Sequence, residues 1–186
     1  MTNPITIYIK DQCRILSATT VTDVTGTEMN LPRGVRACND LIESAKSASR
    51  KVIVAGNGGS AAIALHMVED LVKLRSVRAM SLLSGPMLTC IGNDLGFERV
   101  FSVPINLLAD CSDVVVLISS SGSSPNILRA AEAAAERSCR LVTFTGMDAG
   151  NRLRKMGDVN FYVPSWRYGQ VESAHATLMH CVLDCV

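Results

Sequence analysis

The sequence predicts an α/β protein built on a parallel β-sheet. From about residue 51 onward, short apolar runs alternate with helical stretches of roughly 10–15 residues, which is the pattern of βαβ units. The clearest run, Asp113-Val114-Val115-Val116-Leu117-Ile118, is continuous and β-branched. A strand covered on both faces needs apolar side chains at every position rather than at alternate ones. Several runs also end in loops of small polar residues, where ligands of parallel sheets sit.

Taken in order, residues 1–50 read as an N-terminal helical arm and residues 51–186 as one structural unit. In the arm, Asp40 to Ser49 is a helix, with Leu41, Ile42 and Ala45 at helical spacing. The stretch VTDVTGTEMNLPRG before it reads as a loop from an earlier helix. Val52 to Ala55 is a buried strand, followed by GNGGS and a helix from Ala61 to Leu74. Ala79 to Leu83 is a second strand. The strand at 113–118 ends in SSSGSSPN and gives way to an alanine-rich helix, Ile127 to Arg137. Arg140 to Thr145 is a strand ending in TGMDAG, Val159 to Val163 another, and Gly169 to Val186 a closing helix.

Composition narrows the function. The chain has 186 residues, of which 48% are hydrophobic, enough for one domain with a real core. Lys and Arg number 18 against 17 Asp and Glu, so there is no basic footprint for nucleic acid and no polybasic membrane surface. No apolar stretch approaches a membrane span. The 7 cysteines (Cys13, Cys38, Cys90, Cys111, Cys139, Cys181 and Cys185) are odd in number and lack CxxC spacing. With no secretory pattern at the N-terminus, they read as reduced, buried thiols of a cytoplasmic protein.

Three strand-end loops stand out: Gly56-Asn57-Gly58-Gly59-Ser60, Ser119-Ser120-Ser121-Gly122-Ser123-Ser124, and Thr145-Gly146. The second places five serines in six residues between a strand and a helix. Hydroxyls and free N–H groups at a helix N-terminus favour an anion such as phosphate. One serine would suffice as a helix cap. No Walker lysine follows GNGGS and no GxGxxG is present, which disfavours a nucleoside triphosphate or dinucleotide.

In order along the chain, GNGGSAAIALHMVEDL, TCIGNDLGFERVFS, ISSSGSSPNIL, TGMDAG and a histidine-bearing last helix resemble the sugar isomerase (SIS) domain family, most closely its phosphoheptose isomerase branch. The resemblance spans about residues 30 to 186. It implies a flavodoxin-like, three-layer fold and a homotetramer with active sites between subunits. It implies phosphate binding by Ser119, Ser120, Ser121 and Ser124, and sugar contacts from Asn57, Gly58, Gly59, Ser60 and Asp94. It also implies a divalent metal, commonly zinc, on the first and last helices of the SIS unit.

Carried onto this chain, the metal positions are His66, Asp70, Glu172 and His180, with Asp70 where the family has Glu and Glu172 where it has Gln. Two imidazoles and two carboxylates suit a divalent transition metal, and the added charge favours its retention. His66 and Asp70 are i,i+4 and share a helix face. Glu172 and His180 lie about 12 Å apart along a helix, so they grip one ion only if it lies between them or if they come from different subunits.

The implied chemistry is aldose–ketose isomerisation of a sugar phosphate, with sedoheptulose 7-phosphate the leading substrate. Asp70 and His180 are the acid–base candidates, and Glu172 is an alternative base. Asp is one methylene shorter than Glu, and a misplacement of about 1 Å can cost about 100-fold in rate. The alternative class is a non-catalytic SIS protein that binds a phosphosugar or a protein partner, such as the replication-initiator-associating type. Retention of two histidines and two carboxylates favours the enzyme. The stretch Ser165-Trp166-Arg167-Tyr168-Gly169-Gln170-Val171 departs from the family pattern beside the sugar site.

Overall fold

The structure, a computed structural model, describes residues 3–185. The chain opens with helix α1 (Pro4–Ser17), strands β1 (Thr20–Asp23) and β2 (Glu28–Met29), and helix α2 (Leu31–Ser47). There follow β3 (Val52–Gly56), α3 (Gly59–Lys73), β4 (Ala79–Ser81), α4 (Gly85–Asp94) and α5 (Ser102–Leu108). The remainder is β5 (Val114–Ser119), α6 (Pro125–Glu136), β6 (Arg140–Gly146), β7 (Val159–Val163) and α7 (Tyr168–Asp184). No helix among the described residues is long and apolar enough to cross a membrane.

The strands form one sheet in the order β2-β1-β7-β6-β5-β3-β4. Five of them, β4 to β7 with β3, run parallel, as the unbroken apolar runs predict. Successive side chains point to opposite faces and feed two cores. Val52, Val54, Val114, Val116, Val142 and Phe144 face the helices α1, α2, α3 and α7. Ile53, Ala55, Val115, Leu117 and Leu141 face α5 and α6, with α4 at the margin. The result is three layers, helix–sheet–helix.

The region expected to be a loop before α2 contains the hairpin β1–β2, and β1 extends the sheet antiparallel to β7, with Val21 opposite Phe161. Locally its sequence carries turn chemistry. The Asp23 carboxylate accepts the backbone N–H groups of Thr25 at 2.8 Å and Thr27 at 3.0 Å around Gly26. Strand character comes from outside: Val21 is fully buried against the core, and an exposed edge of β7 offers unpaired backbone groups. The short helices α4 and α5, which the sequence reading left unassigned, fill the far face. Few of their side chains are buried, and α5 is held by packing against α6.

Capping explains where several helices begin. Asn3 and Asn30 accept from Ile5 N (2.9 Å) and Arg33 N (3.0 Å), each with a proline in the first helical turn. The helices α3 and α6 begin differently: neither Gly58 nor Ser124 makes a side-chain cap bond. The ordinary capping role for the serine loop is therefore absent.

The thiols depart from expectation. All seven are free, but only Cys38 is buried, where burial raises its pKa to about 12; Cys13, Cys90, Cys111 and Cys185 are exposed. Four of the seven sit at exposed helix or loop positions, so the odd count signalled free thiols without signalling their burial.

Candidate active site

The chain leaves β3 toward β4 on one side and leaves β5 toward β6 on the other, while β3 and β5 are neighbours. A crevice opens between the carboxyl ends of two such strands, and ligands of open α/β sheets bind there. A cavity of about 240 Å³ occupies it. Asn57, Gly58, Gly59 and Ser60 line it from the end of β3, and Ser119, Ser120, Ser121 and Ser124 from the end of β5. The two loops that the sequence marked separately are thus brought into one site.

The cavity is built to accept hydrogen bonds from within and to donate them to a guest. Ser119 Oγ accepts the Gly122 N–H at 3.2 Å, and Ser121 Oγ accepts that of Ser123 at 3.3 Å, which fixes the loop's shape. Ser120 Oγ is buried with no hydrogen-bond partner among the described residues. A hydroxyl in that position costs free energy until a partner arrives. No Lys or Arg lines the cavity, so hydroxyls, amides and helix ends supply its positive character. Asn57 is tied to Asn126 by two side-chain hydrogen bonds, joining the β3 loop to the first turn of α6.

Three of the four residues assigned to a metal come together. His66 and Asp70 on α3 meet His180 on α7, with Asp70 Oδ2 lying 3.5 Å from His66 Nε2 and 3.7 Å from His180 Nδ1. The two imidazoles stand edge to face, centroids 5.0 Å apart, and one donor atom from each residue lies within 4.8 Å of the others. Asp70 is only 13% exposed at its side chain, so this carboxylate has no ready access to water as a substitute. Two imidazole nitrogens and a carboxylate oxygen on two rigid helices fit a zinc-type ion with an open position. Asp184, which the sequence reading passed over, stands 4.0 Å from His180 Nδ1.

Glu172 lies apart from these three. It lines the serine cavity together with Tyr168, and its carboxylate occupies the space where a Cβ on Gly59 would stand. Asp94 also lies elsewhere, exposed at the end of α4 where it accepts from Asn93 Nδ2 at 2.7 Å. Tyr168 and Asn126 escaped the sequence reading, although Asn126 stands inside the SSPN segment quoted for the serine loop. His175, one turn beyond Glu172, is fully buried; burial lowers its pKa to about 4, and its Nε2 lies 3.0 Å from the Thr145 carbonyl oxygen.

The sequence profile of the SIS domain family matches residues 20–146. The chain belongs to the SIS domain family. Its SIS relatives include a phosphoheptose isomerase of Citrifermentans bemidjiense, 34% identical over 96% of this chain and 91% of the relative. One from Pelobacter propionicus is 40% identical over 73% and 75%. Among solved SIS structures, a phosphoheptose isomerase from Neisseria gonorrhoeae is 30% identical, covers 97% of this chain and 95% of its own, and superposes with a TM-score of 0.85. The three-layer α/β fold implied by the sequence is therefore the SIS fold.

Proposed function

We propose that this chain is a cytoplasmic aldose–ketose isomerase that interconverts sedoheptulose 7-phosphate and D-glycero-D-manno-heptose 7-phosphate. The observation that carries the reading is the convergence of the GNGGS and serine loops in one cavity that holds an unpartnered, buried Ser120 hydroxyl. Phosphoheptose isomerase relatives at 34–40% identity support the same reaction.

In this reading Ser119, Ser120, Ser121 and Ser124 hold the phosphate, and Asn57, Gly58, Gly59 and Ser60 orient the sugar. The reaction breaks the C1–H bond of the open-chain ketose; its electron pair forms the C1–C2 double bond as the C2 oxygen takes up a proton. The resulting enediol gains a proton at C2 and loses one from O1, leaving the aldehyde. Asp70 is the preferred carboxylate base, His180 the group that moves protons between oxygens, and Glu172 the alternative base. A divalent metal, with zinc the choice, held by His66, Asp70 and His180 would polarise the carbonyl.

We further assign the working unit to a homotetramer. Leu65, Val72 and Leu74 are more than half exposed on or beside the helix that carries His66, as are Ile5 and Ile9 on α1. Large apolar side chains left exposed on two helices favour burial by a second subunit. Such a contact would also be the route by which Asp94, exposed at the end of α4, reaches a neighbouring site. The test is turnover of sedoheptulose 7-phosphate by the purified protein, with and without a chelator. Conversion that stops on metal removal and returns with zinc supports the reading; no turnover with metal present overturns the substrate.

A further inference from the structure

We propose that Asn151 is a positioning residue for the serine loop: it acts through Gly122 to hold residues 119–124 in the shape that receives a phosphate. The inference rests on the serine cavity being a phosphate site.

The loop turns at Gly122, which has a φ of +60°. Its N–H is accepted by the Ser119 carbonyl at 3.1 Å and the Ser119 hydroxyl at 3.2 Å. The turn rests against the segment that follows β6. The Leu153 N–H donates to the Gly122 carbonyl at 3.1 Å, and a Cβ on Gly122 would overlap the Asn151 carboxamide. Asn151 is 3% exposed, and its carboxamide is bonded at both ends. Nδ2 donates to the carbonyls of Asp148 at 2.7 Å and Gly146 at 3.4 Å, while Oδ1 accepts the Arg154 N–H at 3.0 Å. Gly146 in turn abuts Ser120, whose carbonyl oxygen would stand 3.2 Å from a Cβ there. Asn151 thus joins the two places where this segment meets the loop, one at Gly122 and one at Ser120.

No residue from Gly146 to Arg154 lines the cavity, so the effect of Asn151 on a guest passes through the loop. The bonds to Asp148 and Arg154 close the turn that Asn151 itself belongs to. Contact with Gly122 adds nothing to that turn and supports the loop instead. Only a residue without a Cβ tolerates both the positive φ and this close approach. Support of this kind matters because no Lys or Arg lines the cavity. An anion there is held by hydroxyls and amides, whose affinity depends on their standing in place beforehand, since ordering each one on binding costs free energy. The buried, unpartnered Ser120 hydroxyl is such a donor, fixed ahead of its guest.

The experiment titrates inorganic phosphate and sedoheptulose 7-phosphate calorimetrically into wild type, Asn151→Ala, Gly122→Ala, the double variant and Arg154→Lys. Asn151→Ala empties the space beside Gly122, and Gly122→Ala disturbs the same contact from the loop side. Arg154→Lys keeps the charge but loses the guanidinium fork, which donates to the Ala149 carbonyl at 2.9 Å and the Thr20 hydroxyl at 3.0 Å. It therefore loosens the same segment without touching the loop. The expected result is both ligands bound about 10-fold more weakly by Asn151→Ala and by Gly122→Ala, with affinity unchanged in Arg154→Lys. The double variant should lose less than the two single effects combined, because Asn151→Ala removes the overlap that Gly122→Ala creates. Unaltered affinity in both single variants overturns the inference and leaves the phosphate site intact. Equal weakening by Arg154→Lys overturns it too, by tracing the effect to general loosening of the segment. Failure of wild type to bind either ligand overturns the underlying reading and this inference with it.

Discussion

Asn57 and Asn126 exchange two side-chain hydrogen bonds, Asn57 Nδ2 donating to Asn126 Oδ1 at 2.9 Å and Asn126 Nδ2 to Asn57 Oδ1 at 2.8 Å. The pair bridges the two sides of the crevice, from the loop after β3 to the helix after β5. It therefore sets the width of the cavity between them. Replacing Asn126 by Ala leaves the Asn57 amide without either partner at a part-buried position. We expect a stability loss of about 1–3 kcal/mol in urea denaturation and weaker binding of inorganic phosphate by calorimetry. Unchanged phosphate affinity would remove the pair from the site's architecture.

Metal affinity is expected to depend on His66. Loss of groups that merely orient ligands costs about 10- to 100-fold in metal affinity, so loss of a direct ligand should cost at least as much. Zinc titration of His66→Ala against a chromophoric competitor checks this. Zinc should also raise the melting temperature of wild type in proportion to its binding and leave that of the variant unmoved.

Asp113 anchors the start of β5. It is fully buried, accepts the backbone N–H groups of Lys51 at 2.9 Å and Asp110 at 2.8 Å, and pairs with Lys51 Nζ at 2.6 Å. For Lys51, burial works to lower the pKa, but hydrogen bonds to Asp110 and Asp113 outweigh it and the net shift is upward. Asp113→Ala leaves the backbone N–H groups of Lys51 and Asp110 without their acceptor and Lys51 Nζ with Asp110 alone, so it should cost about 3–5 kcal/mol in chemical denaturation. A cost below about 1 kcal/mol would show the pair to be solvated.

Acid sensitivity is expected from His175. Burial holds its folded pKa near 4, below the ordinary histidine value of 6.5, so the unfolded chain binds the extra proton first as pH falls. Its contribution to stability is full above pH 6.5 and is lost progressively between 6.5 and 4. The loss amounts to about 3 kcal/mol. Thermal melts of the metal-free protein across that range should steepen for wild type and flatten for His175→Gln. Parallel curves would assign the acid sensitivity to other groups.

Much of the molecule was legible in the chain. Val114 to Ile118 could only be a strand buried on both faces, because its side chains leave no polar position for water. The serine loop announced an anion site through composition, and the i,i+4 spacing placed His66 and Asp70 on one helix face. The hairpin at 20–29 was not legible, because its local chemistry is that of a turn and its pairing partner β7 lies more than a hundred residues away. The exposed cysteines were misread for a related reason: composition counts thiols and says nothing of which helix face they occupy.

The sequence by itself determined a parallel α/β sheet, the loops that end its strands, and the residue types available for phosphate and metal. Only the tertiary structure decided which of them meet. Packing of α7 along α3 brings His180 to His66 and Asp70 while holding Glu172 over Gly59 in the serine cavity. Spacing along one helix fixes how far apart two side chains lie. Which neighbour each one faces depends on how that helix is seated against another, and that is set by the shape of the buried surfaces between them.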